Sequence, residues 1–391
     1  MKLLYFFTDL LPQIIRYRLR KYGIKVSFRP ITLTFSVTNR CQSRCQTCRI
    51  WEFHQKHPKK AQEELNLNEI EKIFQGMGHI FFFNVSGGEP FLRDDLVQII
   101  ELACRYLTPR IIHIPTNALL PKRIETMSDQ IAQTVYQYDP EVPFTIKPSI
   151  DGIGEKHDRI RGVKGNFKKL LETIERLKKL ETKHPNLHLE LGTVVSMANI
   201  DDLDEIADFV HSLGVESYRN EIAEQREEFF NLDDPITPTP DIYKKLMEKF
   251  SKKIREHLAS KRDLAKMTES LRLVYYQLVS RTLEKKRQVI PCYAGISNIH
   301  LTPYGDIWPC CVLGYAKPMG SLRETDYDFN ILWNSPQAKE VRKYISDKNC
   351  YCPLANQMYS SILCHIPSAI KTFWNILYFR FSPFLKSFLD K

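Results

Sequence analysis

Three cysteines, Cys41, Cys45 and Cys48, stand in the stretch SVTNRCQSRCQTCRIW with three and then two residues between them. Thiols so close in sequence can grip a metal, but a closed tetrahedral zinc site takes four ligands. A four-iron iron–sulfur cluster also normally takes four thiolates, so a set of three leaves one iron with an open position for a small ligand. The competing reading is a partial zinc ribbon with a distant fourth ligand, His54 for example.

Other short stretches have residue types suited to binding. In VSGGEP, Gly87 and Gly88 permit close backbone approach, Glu89 offers a carboxylate to a cation, and Pro90 closes the motif. In KPSIDG, Ser149 and Asp151 fall two apart and so on one side of a strand. Arg161, in HDRIRG, can reach a carboxylate through a charge-assisted bond. Thr116, Asn117 and Asn199 are further polar candidates at strand ends, as are Arg219, Glu221 and Arg226 in SYRNEIAEQREEFFN. Turns, helix caps and a solvated helix start account for the same residues without any ligand. Seven more cysteines complete the total of ten: Cys104 in an apolar helical stretch, then Cys292, Cys310, Cys311, Cys350, Cys352 and Cys364. Such clustering suits metal ligation in a reducing compartment better than a disulfide framework.

The elements that must position these groups follow a β–α alternation. Strands are expected at 32–38, 79–88, 110–118, 144–151, 187–195 and 215–222, so the three-cysteine loop follows the first strand and VSGGEP ends the second. Helices are expected between them, including 166–180, with Phe167, Leu170, Leu171, Ile174 and Leu177 on one face, and 200–213, opened by Asp201 and Asp202. Six such units imply an α/β fold, a partial (β/α)6 barrel of the TIM type, with chemistry at the C-terminal ends of its strands. The expected organisation is a basic amphipathic segment at 1–29, the barrel at 30–225, a helical linker at 226–290, a small cysteine-rich domain at 291–365 and an aromatic basic segment at 366–391.

The cysteine spacing resembles that of the radical S-adenosylmethionine (SAM) superfamily. The resemblance implies a 4Fe–4S cluster on Cys41, Cys45 and Cys48 whose open iron chelates SAM. An electron then cleaves SAM to a 5′-deoxyadenosyl radical that abstracts hydrogen from a substrate. It assigns Gly87, Gly88, Glu89 and Pro90 to the SAM ammonium, Ser149 and Asp151 to the ribose, and Arg161 to the SAM carboxylate. Thr47 stands where relatives often carry an aromatic residue. CYAGISNIHLTPYGDIWPCC, from Cys292 to Cys311, resembles the opening of a SPASM/twitch module, with YGD as a hairpin turn. That resemblance implies one auxiliary 4Fe–4S cluster on Cys292, Cys310, Cys350 and Cys352, since Asn356 occupies a position where two-cluster members continue with cysteine. A structural zinc is the alternative there.

The whole-chain charge of +10 is concentrated at the ends: residues 1–26 carry six basic groups and one acid, and 366–391 carry four and one, which leaves about +2 for the rest. A nucleic-acid binder is expected to show its basic face on the folded body, so nucleic acid is not expected as a partner. There is no apolar run of transmembrane length. Asp9 and Pro12 break the apolar start and no small-residue cleavage site follows, so the protein is expected to be uncleaved and cytoplasmic. Tyr5, Phe6, Phe7, Leu10 and Leu11 precede Arg16, Arg18, Arg20 and Lys21, while Trp374, Tyr378, Phe379, Phe381, Phe384 and Phe388 mark the other end. Both ends suit peripheral contact with the cytoplasmic membrane face, or ordinary packing on the domain.

The expected activity is radical modification of a peptide or protein, with a low-potential electron donor such as ferredoxin or flavodoxin. The alternatives are modification of a lipid or small metabolite at the membrane surface, and a non-catalytic cluster-carrying scaffold.

Overall fold

The computed structural model describes residues 5–21, 24–215, 217–258 and 263–389. Phe6, Lys21, Phe379, Phe381, Phe384 and Phe388 of the terminal sets lie outside the residues whose side chains are described. Six parallel strands follow the β–α alternation: β1 (Thr32–Ser36), β2 (Phe82–Ser86), β3 (Ile111–Thr116), β4 (Phe144–Pro148), β5 (Leu187–Val195) and β6 (Ser217–Ile222). Each falls inside the stretch expected from sequence. The helices that cover the sheet include α1 (Leu67–Met77), α2 (Pro121–Tyr138), α3 (Asn166–Lys183) and α4 (Leu203–Ser212).

The period-two alternation of the strands decides which face the helices take. Leu33, Phe35, Phe83, Val85, Ile112, Ile114, Phe144, Ile146 and Leu191 point outward and are buried beneath them. Phe74 of α1 meets Phe35 and Phe83 edge-on, with ring centroids 6.0 and 5.8 Å away. α1 starts where it does because Asn66 and Glu69 form a reciprocal capping box. The opposite, inward face is polar: Thr34, Asn84, His113, Lys147, Glu190 and Arg219 follow from the strand registers. This lumen is lined for polar contents.

The cysteine-rich segment is built onto the same sheet. β7 (Asn298–Leu301) adds in parallel to β1, pairing Thr32 with Asn298 through Phe35 with Leu301. β8 (Asp306–Trp308) and β9 (Gly320–Ser321) then continue antiparallel, giving the order β6-β5-β4-β3-β2-β1-β7-β8-β9. Gly305, at φ +91°, makes the β7–β8 turn possible. The stretch between β6 and the cysteines forms two helices, α5 (Pro240–Leu258) and α6 (Asp263–Lys285). After the last cysteine pair come α7 (Ala355–Cys364) and α8 (Ile366–Leu389).

Candidate functional site

The three-cysteine loop leaves the C-terminal end of β1 and is held on three sides. From the β2 end, Gly88 N donates to Thr38 O (2.8 Å) and Glu89 N to Arg40 O (2.8 Å). From the other side, Arg44 N donates to Arg161 O (3.0 Å) and Gln46 N to Ile160 O (2.9 Å). Beyond β6, Asn231 Nδ2 donates to Thr47 O (2.9 Å), and Arg49 N donates to Phe229 O (3.0 Å). The glycines are explained by this grip. A Cβ at Gly87 would lie 2.2 Å from Thr38 O, one at Gly88 2.2 Å from Arg40 O, and one at Gly162 2.1 Å from Arg44 O.

Burial raises all three thiols: Cys41 is pushed up to about 12, Cys45 is raised and Cys48 rises well above its usual range. Thiolates form in such a place only when a cation is supplied, as metal or cluster binding does. Cys41 accepts from Asn117 Nδ2 at 3.8 Å.

Glu89, buried, accepts from Asn117 N (2.7 Å), Thr116 Oγ1 (2.9 Å) and Phe91 N (3.2 Å). Burial still lifts its carboxyl to about 7, against the pull of those donors, so a nearby cation would favour its charged form. Pro90 opens the turn that follows. Asp151 accepts from Arg161 Nη1 (3.0 Å) and Val194 N (2.8 Å), and Asn199 Nδ2 donates to the Asp151 carbonyl (3.1 Å). β4 ends at Pro148, so period two does not carry through to Asp151. Ser149, beyond the strand, bridges by its backbone to Gly192. Burial opposes the charge on Arg161, but Cys45 and Asp151 outweigh it and hold that pKa above the usual. Its Nε is buried with no hydrogen-bond partner among the described residues. Three thiols, a carboxylate and an unsatisfied guanidinium N–H thus meet at one mouth. They fit a cluster with an open iron and a small ligand bearing both ammonium and carboxylate groups.

The second cysteine set also comes together. Cys292, Cys310, Cys350 and Cys352 line one cavity with Ile290, Val312 and Met358. Burial takes Cys292 to about 11, raises Cys350, and puts Cys310 and Cys352 well above the thiol range. Among the described residues, no three His, Cys, Asp or Glu side chains converge to hold a single ion. Four thiols about one cavity make the ligand count of an iron–sulfur cluster. Cys311 is turned away, with its Sγ 3.2 Å from His300 Nδ1. Cys364 lines a different cavity with Arg18, Tyr293 and His365. Cys104 is a buried core residue. His54, the fourth ligand of the zinc alternative at the first site, is bonded to Tyr304 Oη at 3.0 Å.

Residues 35–210 match the family model of the radical SAM superfamily, and residues 292–353 match that of the SPASM iron–sulfur cluster-binding domain. The chain thus carries a radical SAM domain followed by a SPASM domain. It is 23% identical over 316 residues to the antilisterial bacteriocin subtilosin biosynthesis protein AlbA of Bacillus subtilis, covering 78% of this chain and 60% of AlbA. It is 22% identical over 333 residues to the AdoMet-dependent heme synthase of Methanosarcina barkeri, covering 80% and 85%. The chain spans less than two thirds of the length of AlbA and only 42% of the pre-heme d1 synthase of Dinoroseobacter shibae. Among solved structures, anSMEcpe with bound AdoMet and the Cp18Cys peptide is similar with a TM-score of 0.57 at 14% identity, covering 92% of this chain and 99% of that one. SuiB of Streptococcus suis bound to precursor peptide SuiA gives 0.52 at 14%, covering 83% and 69%. These likenesses show a shared fold. The two domains found imply a SAM-binding 4Fe–4S cluster and auxiliary iron–sulfur ligation.

Inside the lumen of this radical SAM barrel, the polar residues form a charged network. His113 Nδ1 bonds Asn84 Oδ1 at 2.7 Å, and its Nε2 lies 3.8 Å from Glu190 Oε2. Glu190 pairs with Arg219 (3.1 Å) and Arg272 (3.5 Å), and Glu221 sits 3.6 Å from Lys147 and 3.7 Å from Arg219. Burial, reinforced by Lys147 and Arg219, drives His113 well below its usual pKa, so it is neutral. For Glu190 burial acts the other way, but Arg219, Arg272 and Lys147 outweigh it and keep it ionised. Gly192 leaves room for the Lys147 stem, whose Cδ would lie 2.9 Å from a Cβ there. Of these groups, only Arg219 and Glu221 were legible as candidates. The signal for His113, Lys147 and Glu190 was a polar residue on the inward phase of an otherwise apolar strand.

Asn231 was also missed, because a lone Asn near an Asp- and Pro-rich stretch reads as a turn. It is buried, donates to both Thr47 O and Glu224 O, and accepts from Arg226 N at 2.7 Å. Arg226 in turn donates through Nε to Glu224 Oε2 at 2.9 Å.

Proposed function

We propose that this chain reductively cleaves SAM and uses the resulting radical to modify a peptide or protein. When bound, the first cluster and SAM supply a 5′-deoxyadenosyl radical for hydrogen abstraction. Cys41, Cys45 and Cys48 are the ligands of that cluster, on a loop fixed by the Gly87–Gly88 and Arg161–Gly162 contacts. Glu89 receives the SAM ammonium, Arg161 Nε the carboxylate, and Ser149 and Asp151 the ribose, Asp151 keeping a lone pair free on each oxygen. The observation that carries this reading is the buried, unsatisfied Arg161 Nε within electrostatic reach of the Cys45 and Cys41 thiols. Cys292, Cys310, Cys350 and Cys352 hold one auxiliary 4Fe–4S cluster, with a donor such as ferredoxin or flavodoxin as electron source.

The peptide reading is supported by what related proteins are named for: bacteriocin biosynthesis for AlbA, sporulation killing factor maturation for SkfB of Bacillus subtilis, and a precursor peptide bound to SuiB. The charged lumen offers partners for the polar groups of such a substrate. Anaerobic reconstitution tests the whole proposal. The protein is expected to hold about eight irons and, on reduction, to release 5′-deoxyadenosine and methionine. Stoichiometric zinc with iron near zero overturns it.

A second reading, a lipid or small metabolite modified at a cytoplasmic membrane face, has its own support. Ile366, Ile370, Phe373, Trp374 and Tyr378 are exposed along α8 at helical spacing, and Phe7 and Ile15 are exposed near the other end. Among the described residues, no helix is long and apolar enough to cross a membrane. Such a stripe suits the headgroup region, with basic neighbours adding about 1 kcal/mol each, screened by salt. The full chain is expected to co-sediment with anionic vesicles and to be partly released by high salt. If it ignores vesicles of every composition, the stripe is a packing surface and the lipid reading loses its support.

A further inference from the structure

The segment that leaves β6, residues 223–231, runs between the two cysteine sites and carries an unbalanced charge. Arg226 is committed to Glu224 Oε2. Glu224 Oε1 and Glu228 Oε2 are buried and have no hydrogen-bond partner among the described residues. Both residues are more than nine-tenths buried, at 8% and 6% exposure. The guanidinium thus pairs with Glu224 alone, and burial raises both carboxyls, Glu228 to about 7, against the pull of Arg226, so an added cation would favour their charged forms. The surroundings define where the missing partner belongs. Glu228 is within electrostatic reach of the Cys48 thiol on one side, and of Cys311 and Tyr315 on the other. Glu224 acts on Cys352 as well as on Cys311. The Tyr315 ring lies 4.9 Å from that of Trp308, centroid to centroid. Carboxylates and aromatic faces both attract cations. The segment cannot swing away, because Asn231 fastens it to the first cysteine loop.

We propose that Glu224 and Glu228 form a recognition site for a cationic side chain, an ammonium or guanidinium, of the peptide substrate, seated against Tyr315 and Cys311 between the two cluster sites. The proposal rests on the peptide reading above and names the chemistry by which the site selects its peptide. The cation supplies the missing charge and donates to the two free carboxylate oxygens. Its place between the sites sets which substrate carbon faces the first cluster.

The test uses three probes, N-acetyl-arginine amide, N-acetyl-lysine amide and the neutral isostere N-acetyl-citrulline amide, titrated calorimetrically into the reconstituted full-length protein with SAM present. Hydrogen bonds to charged groups set the scale, so arginine and lysine probes are expected to bind at least about tenfold more tightly than citrulline. In Glu228→Gln that preference is expected to close to within about twofold, with iron content and circular dichroism reporting folding separately. Equal binding of citrulline and arginine by the unaltered protein, or no binding of any probe, overturns the proposal. So does an arginine preference that survives in both Glu228→Gln and Glu224→Gln. If Glu228→Gln does not fold, the comparison in the unaltered protein decides alone. SAM cleavage is read in a separate assay, so its absence counts against the proposed activity and leaves the probe preference to stand or fall by itself.

Discussion

Replacing Cys41, Cys45 and Cys48 together by alanine is expected to abolish SAM cleavage and leave roughly half of the iron in the protein. The three thiols lie on one loop beyond β1, whereas Cys292, Cys310, Cys350 and Cys352 line a separate cavity. No residue is shared between the two sets, so the second site keeps all its ligands in the variant. Iron and sulfide analysis, with the visible spectrum of the remaining cluster, checks the outcome. A folded variant that has lost all its iron means that the two sites do not assemble independently, and the assignment of two separate clusters fails.

The other large effect is expected from a single methyl group. Gly162 sits at φ +69°, and a Cβ there would lie 2.1 Å from the carbonyl oxygen of Arg44, well inside van der Waals contact. The obstacle is backbone, so no side chain can swing aside. Either the cysteine loop or the Arg161 turn must shift, and Arg44 N loses its bond to Arg161 O. A displacement of about 1 Å at a reacting centre can cost about a hundredfold in rate. Gly162→Ala is therefore expected to lower SAM cleavage by at least about a hundredfold, with the auxiliary iron retained. Gly165→Ala is the matched control: its φ is +78°, but nothing lies within 4 Å of the new Cβ. It carries only the left-handed strain, about 1–2 kcal/mol, and should lose some thermal stability while keeping its activity. Similar loss of activity in both variants would trace the effect to strain and not to the loop contact.

The strands were legible in sequence because their outward phase is apolar without interruption. Phe83 and Val85, Ile112 and Ile114, and Phe144 and Ile146 all bury beneath helices. The three-cysteine site was legible because its ligands are neighbours in the chain. What escaped were partnerships across long sequence separations. Asn231 bonds Thr47, which is 184 residues away. His300 reaches Ser36 across 264 residues. Gly87 and Gly88 were read as sites for a ligand's approach, yet their first close neighbour is the cysteine loop itself. The SYRNEIAEQREEFFN stretch also reads as a solvated helix start, because one sequence alone cannot show that Asn231 pulls the segment inward. The cysteine-rich region read as a hairpin module, and nothing in its local pattern announced that its first strand would join β1.

That pairing governs how the protein is made. β1 is complete early in synthesis, but its second neighbour, β7, lies 266 residues later, from Thr32 to Asn298. At roughly 5–20 residues per second, the TLTFS edge waits tens of seconds for its partner. Through that interval the nascent chain offers a row of free backbone donors and acceptors, a template for pairing with another chain. The same strand leads directly into Cys41, Cys45 and Cys48, whose loop lacks its Asn231 tie until residue 231 has been made, some way before β7. The free β1 edge and the untied cysteine loop are therefore exposed together until residue 231 emerges, and the edge alone until β7 seals the sheet.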